Sequence, residues 1–148
     1  MPSSTEADPV GVAFVCVQNA GRSQMAYAFA RRERDARGLA DAVELVTGGT
    51  RPADRVHPEV VDAMADVGID LSDRQPREAT VDELRDCDLV ITMGCSAADV
   101  CPAGWGGQNR DWDLDDPEGR SPEAVAAIRA EIERRVGALF DALEAGEI

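Results

Sequence analysis

Residues 12–23 read VAFVCVQNAGRS. Six consecutive apolar residues have the length and composition of a buried strand. Gln18-Asn19-Ala20-Gly21 then breaks the run with the amide and small side chains that turns favour. A helix is predicted from Arg22 to Ala36, with Met25 and Phe29 four apart on one face and Gly38 as its stop. A fully apolar strand that turns directly into a helix is the opening unit of a parallel sheet covered by helices.

The rest of the chain repeats that alternation. VELVT (43–47) reads as a second strand and LVITM (89–93) as a central one. Pro58 can open a helix carrying Val60, Val61 and Met64 on one face, with Gly68 ending it. Thr80-Val81-Asp82-Glu83 is a capping box that starts a short helix. Residues 102–120 are rich in Gly, Pro and Asp and read as loop, with a short edge strand expected near Trp112. Ser121 caps a last helix in which Val125, Ile128, Ile132, Val136, Leu139, Phe140 and Leu143 keep helical spacing up to Gly146. No run resembles a hairpin. The expected architecture is one α/β domain over 10–148, a small four-stranded parallel sheet with helices on both faces. Residues 1–9 are polar and are expected to be flexible. Ligands of such sheets bind beyond the carboxyl ends of the strands, where both Cys16 and Cys95 fall.

Composition narrows the function. The 148 residues carry 29 Asp and Glu against 15 basic residues, all of them Arg, for a net charge of −14. That charge argues against a phosphate backbone or an anionic membrane as partner. No apolar run reaches the ~20 residues that span a bilayer, and MPSSTEADPVG lacks the features of a signal peptide. A cytoplasmic, reducing location is therefore expected. An acidic surface without lysine suits concentrated salt, where screening tames self-repulsion, so a halophilic origin is expected too. In a reducing compartment, Cys16, Cys87, Cys95 and Cys101 are more often catalytic or metal-binding than bridged. No cysteine pair has zinc-site spacing and the one histidine is His57, so no metal and no bound cofactor is expected.

CVQNAGRS (16–23) carries the chemistry. A loop that enters a helix offers several unpaired N–H groups to one point, and the helix dipole adds positive charge there. Val17, Gln18, Asn19, Ala20, Gly21, Arg22 and Ser23 would thus cradle a tetrahedral oxyanion, with Arg22 gripping two of its oxygens. The same field favours a Cys16 thiolate, to which Ser23 could donate a hydrogen bond.

The C-x5-R loop resembles the phosphate loop of the low-molecular-weight tyrosine phosphatases. More closely, the chain is similar to the arsenate reductases of that fold, the thioredoxin-coupled type. The resemblance rests on Cys16, Asn19, Arg22-Ser23-Gln24-Met25-Ala26, on Cys95 and Cys101-Pro102, and on Trp112 with Asp115-Asp116-Pro117, all in family order. It implies that Cys16 attacks arsenate held by Arg22 and that Asp116 is the general acid. It further implies that Cys95 attacks Cys16, releasing arsenite, and that Cys101 then takes the disulfide for an external reductant. That reductant would be a thioredoxin, a glutaredoxin-like protein or a small thiol. A Cys95–Cys101 bridge needs Cα atoms about 4.4–6.8 Å apart, whereas six residues of intact helix rise about 9 Å. The segment between them is accordingly expected to be a loop, or a helix that unwinds. Tyr27 stands where potassium-binding relatives carry an acid.

The alternative is a phosphatase that hydrolyses phosphate monoesters through a Cys16 phospho-intermediate. The relatives with that activity place aromatics after the Asp-Pro, whereas here Glu118 and Gly119 follow. Of the remaining residues, Cys87 is expected to be structural, Trp105 and Trp112 to be anchors, and His57 to start a helix without a catalytic role. The run RRERDAR (31–37) is expected to be a solvated helix face.

Overall fold

The computed structural model describes residues 9–94 and 107–147. In chain order these form β1 (Val10–Cys16), α1 (Arg22–Ala36), β2 (Val43–Gly49), α2 (Pro58–Ala65), α3 (Val81–Arg85), β3 (Leu89–Met93), β4 (Gln108–Asp111) and α4 (Pro122–Glu144). The strands make one sheet in the order β2-β1-β3-β4, parallel throughout. The expected edge strand exists and ends at Asp111, just before Trp112. Cys95, Cys101 and Trp105 lie outside the described residues, as does the expected form of the Cys95–Cys101 segment.

Period-two alternation along β1 splits the core. Val12, Phe14 and Cys16 face a large cluster built with α1, α2 and α4, while Ala13 and Val15 face a smaller one with Leu84 of α3, Cys87 and Val90. Cys87 is buried in that second cluster. Burial, and then the nearby Asp88 and Glu44, push its thiol up to about 11. Trp112 is the anchor expected, with its ring centroid 6.0 Å from that of Phe14.

The helix ends follow their sequence signals. Thr80 and Glu83 close the capping box, and Ser121 accepts from the N–H of Ala124. Gly38, at φ 70°, ends α1 in a Schellman turn, in which Leu39 N–H donates to Arg34 O and Gly38 N–H to Asp35 O. The run 31–37 does more than face solvent. Arg32 bonds Glu133, and Arg37 bonds Asp141 and Glu144, so the acidic face of α4 turns two of these arginines into ties between helices. No helix among the described residues is long and apolar enough to cross a membrane.

The strand order places the site. From β1 the chain steps to β2 on one side, then returns to β3 on the other. The carboxyl end of β1 is therefore the switch point of the sheet, where diverging connections open a crevice. Cys16 is the last residue of β1 and pairs in register with Met93, the last of β3.

Candidate active site

Beyond Cys16 the chain curls around a cleft of about 260 Å³ lined by Cys16, Val17, Gln18, Ala20, Gly21, Arg22, His57, Gly94 and Asp116. Its rim is fixed by the loop's carbonyls. Those of Cys16, Val17 and Gln18 accept from the N–H groups of Thr50, Arg51 and Ala53, and that of Ala20 from His57. The Asn19 carbonyl accepts from Gln24 Nε2 and that of Gly21 from Met25 N–H. With every carbonyl from 16 to 21 engaged, the backbone polar groups the loop has left are N–H groups. That is the polarity an oxyanion requires.

Asn19 and Ser23 do not line the cleft; they turn inward and hold the sulfur. Asn19 sits at φ 52°, fully buried. This left-handed conformation is one that Asn tolerates better than most residues. It directs the Asn19 N–H at Cys16 Sγ, 3.2 Å away. Asn19 Nδ2 donates to Ser23 Oγ at 2.7 Å and to Thr47 Oγ1 at 2.9 Å. Thr47 donates its own hydrogen to Phe14 O at 2.9 Å. Ser23 Oγ lies 2.8 Å from Cys16 Sγ, and, accepting from Asn19, it keeps its hydroxyl hydrogen for the sulfur. Asn19 Oδ1 accepts from Arg77 N–H and from Gln24 Nε2, both at 3.0 Å. Both are donors, so the Asn19 amide has only one workable orientation.

Two glycines make this packing possible. A Cβ on Gly49 would lie 2.5 Å from Val17 O and 3.0 Å from Asn19 N. Gly94, at φ 82°, lies so close to Arg22 that a Cβ would meet the guanidinium at 2.7 Å. Arg22 is thus packed between the end of β3 and the loop before α4. Its Nη1 donates to Leu114 O at 3.1 Å, and its Nη2 is 3.9 Å from Asp116 Oδ2.

Asp115 and Asp116 separate cleanly. Asp116 lines the cleft, 55% exposed, with Oδ1 accepting from Glu118 N–H. Asp115 faces a neighbouring cleft beside α4, with Asp113, Arg120 and Ala127. The Asp116 loop is tied to α2 through Gly119 N–H, which donates to Glu59 Oε2 at 2.7 Å. That bond, chiefly, holds the Glu59 carboxyl below its ordinary range.

His57 precedes Pro58 at the start of α2, as expected, yet it also lines the cleft beside Gly21. No local signal in the sequence marks it as a wall of the cleft. Thr47, Arg74 and Arg77 escape a sequence reading in the same way. They meet the loop only through β2 and the segment after α2.

The comparisons agree with this architecture. The family model of the low molecular weight phosphotyrosine protein phosphatases matches residues 11–147. A Halobacterium salinarum protein provisionally named an arsenate reductase is 58% identical over 128 residues, 86% of this chain and 89% of its own. The glutaredoxin arsenate reductase of a Synechocystis species is 35% identical over 127 residues, 84% of this chain and 92% of its own. Among solved structures, a thioredoxin-dependent arsenate reductase of Corynebacterium glutamicum superposes with a TM-score of 0.76 at 36% identity, over 97% of this chain and 67% of its own. With the loop, the parallel sheet and these relatives in agreement, the chain belongs to the low molecular weight phosphotyrosine protein phosphatase family.

Proposed function

We propose that this protein is an arsenate reductase that works by thiolate attack and a relay through Cys16, Cys95 and Cys101. The observation that carries the reading is the position of Gly94. It lines the cleft against Arg22, and in the sequence it is followed directly by a second thiol residue, Cys95. A hydrolase needs no such thiol; a reductase requires one. The names of the Halobacterium, Synechocystis and Corynebacterium relatives support the same substrate.

In this reading arsenate sits on the amides of the loop residues that line the cleft, Val17, Gln18, Ala20, Gly21 and Arg22, with two oxygens on the Arg22 side chain. The Cys16 thiolate attacks arsenic, and Asp116 gives its proton to the oxygen that leaves as water. Cys95 then attacks Cys16 sulfur. The sulfur–arsenic bond breaks, its electron pair stays with arsenic, and arsenite departs as the Cys16–Cys95 disulfide forms. Cys101 attacks Cys95, which frees Cys16 as thiolate and leaves a Cys95–Cys101 disulfide for the external reductant. The net change is arsenate plus two thiols to arsenite, one disulfide and water. The reductant is a thiol protein, a thioredoxin or a glutaredoxin-like protein, or else a small thiol. A cytoplasmic setting fits a reducing partner. A salt-rich one fits the acidic, lysine-free composition and the Halobacterium relative.

The test is a single turnover without external reductant. Fully reduced protein is mixed with arsenate, arsenite is quantified, and the thiols are mapped by mass spectrometry. About one arsenite per chain, with two thiols lost among Cys16, Cys95 and Cys101, is the expected result. Intact thiols and no arsenite would overturn the reading and leave phosphate-ester hydrolysis as the activity of the same loop.

A further inference from the structure

We infer that Arg74 is a positioning residue for the nucleophile, its positive charge acting on Cys16 through Gln24, Asn19 and Ser23. Arg74 lies outside the cleft, in the segment that joins α2 to α3. Its Nε donates to Gln24 Oε1 at 3.2 Å, and its guanidinium carbon stands 4.8 Å from the centroid of the Tyr27 ring. From there the donors all run one way. Gln24 Nε2 donates to Asn19 Oδ1 at 3.0 Å, Asn19 Nδ2 to Ser23 Oγ at 2.7 Å, and Ser23 faces Cys16 Sγ at 2.8 Å. The three intermediates are fully buried.

Two physical consequences follow from that order. First, Arg74 is donor-only, so it fixes which end of the Gln24 amide carries oxygen. A flipped Gln24 would set its oxygen against the Asn19 oxygens and break the relay. Second, a cation at the outer end polarises each donor in turn, and at low dielectric the last donor, Ser23 O–H, becomes a better partner for a thiolate.

The contrast with Arg77 is what singles out Arg74. Arg77 also braces Asn19, but through its backbone N–H, and its guanidinium is gripped by both Glu83 oxygens at 2.7 Å. Glu83 answers that charge. Arg74 makes no ion pair among the described residues of a chain with 29 acids and 15 arginines. Its guanidinium is committed to an amide oxygen and an aromatic face instead. The other charged groups around the clefts it borders are Arg31, Arg32, Arg55, Asp35, Asp62 and Asp70.

This inference rests on Cys16 being the nucleophile, and its test reads that thiol directly, without arsenate. Cys16 alkylation by iodoacetamide is followed by peptide mass spectrometry as a function of pH in concentrated KCl, with and without inorganic phosphate, and the rates are compared at a pH below the midpoint of the wild-type profile. Wild type, Arg74→Met and Arg74→Lys are compared. Arg74→Met should slow Cys16 alkylation by about 3- to 10-fold, the scale of one charge-assisted hydrogen bond transmitted through a network. Arg74→Lys, which keeps a cationic donor, should return to within about 2-fold of wild type. Arg74→Met, which leaves the buried Gln24 Oε1 without this donor, should lower Tm by a few degrees, whereas Arg74→Lys should not. Arg74→Gln, uncharged and polar, carries the expectation of the Met variant should that one not fold. An alkylation rate in the uncharged variant equal to wild type, or a Lys variant as slow as Met, would overturn the role of the charge. Wild-type Cys16 that reacts slowly and gains no protection from phosphate would instead overturn Cys16 as the nucleophile.

Discussion

Replacing Asn19 with alanine tests the loop where sequence and tertiary structure meet. Asn19 holds φ 52°, and alanine in that region costs about 1 kcal/mol or more. The side chain also makes four hydrogen bonds, to Ser23 Oγ and Thr47 Oγ1 and from Gln24 Nε2 and Arg77 N–H. Gln24 would keep a partner in the Asn19 carbonyl. The Arg77 N–H would lose its acceptor, and two buried hydroxyl oxygens would lose a donor. An orphaned buried donor costs about 1–3 kcal/mol and the oxygens somewhat less, so the total should reach about 3–5 kcal/mol. Against a typical domain stability of about 5–15 kcal/mol that is a large loss, worth roughly 10 °C in Tm. Denaturant unfolding of reduced protein in concentrated KCl measures it. Asn19→Gly is the control: it deletes the same amide but relieves the φ strain, so it should be about 1 kcal/mol less harmful than alanine. A loss under about 1 kcal/mol for Asn19→Ala would refute the reasoning. A glycine variant weaker than the alanine variant would show that strain at Asn19 is not a significant cost.

Four further outcomes are expected. Asp116→Asn keeps the shape of the loop but cannot give up a proton, so kcat should fall about 10²- to 10⁴-fold with little change in phosphate protection of Cys16; pre-steady-state kinetics measures this. Cys87 should resist iodoacetamide at pH 8 in the folded protein, since its thiol is pushed up to about 11. Because the folded state holds that proton more tightly than the unfolded chain, stability should decline as pH rises from the ordinary thiol range towards 11, and Cys87→Ala should lessen the decline. Glu59 is held below its ordinary range chiefly by Gly119 N–H, so its contribution is complete above the usual carboxylate pKa and lost as pH falls through the depressed value; Glu59→Ala should loosen the Asp116 loop at neutral pH, read as a several-fold lower kcat with an unchanged Cys16 alkylation rate. Finally, with a net charge of −14, Tm should rise with KCl well beyond the range in which ordinary proteins respond, and full stability in dilute buffer would sink the salt requirement.

The alternation of apolar strands and amphipathic helices was enough to define a parallel α/β sheet. The reason is that both faces of such a sheet are buried, so its strands must be apolar throughout. The bounds of α1, the capping box at Thr80 and the Ser121 cap were likewise legible, because they depend on residues three or four apart in the chain. The features from which an oxyanion site is proposed in the loop 16–23 are local for the same reason: a cysteine, an arginine and a helix start lie within eight residues.

What the sequence alone could not decide is how that loop is held. Asp115 and Asp116 are chemically equivalent as a string, and only the path of the loop before α4 turns Asp116 to the cleft and Asp115 away. His57 marks a helix start locally and becomes a wall of the site because Ala20 O takes its N–H. Asn19, Ser23 and Thr47 form one buried network only when β2 lies beside β1, 28 residues separating Asn19 from Thr47. Arg74 reaches Gln24 across 50 residues. Hydrogen bonds of that kind carry no periodicity and no spacing rule. They arise from the sheet order, which brings the ends of distant strands to one point, and only the tertiary structure supplies it.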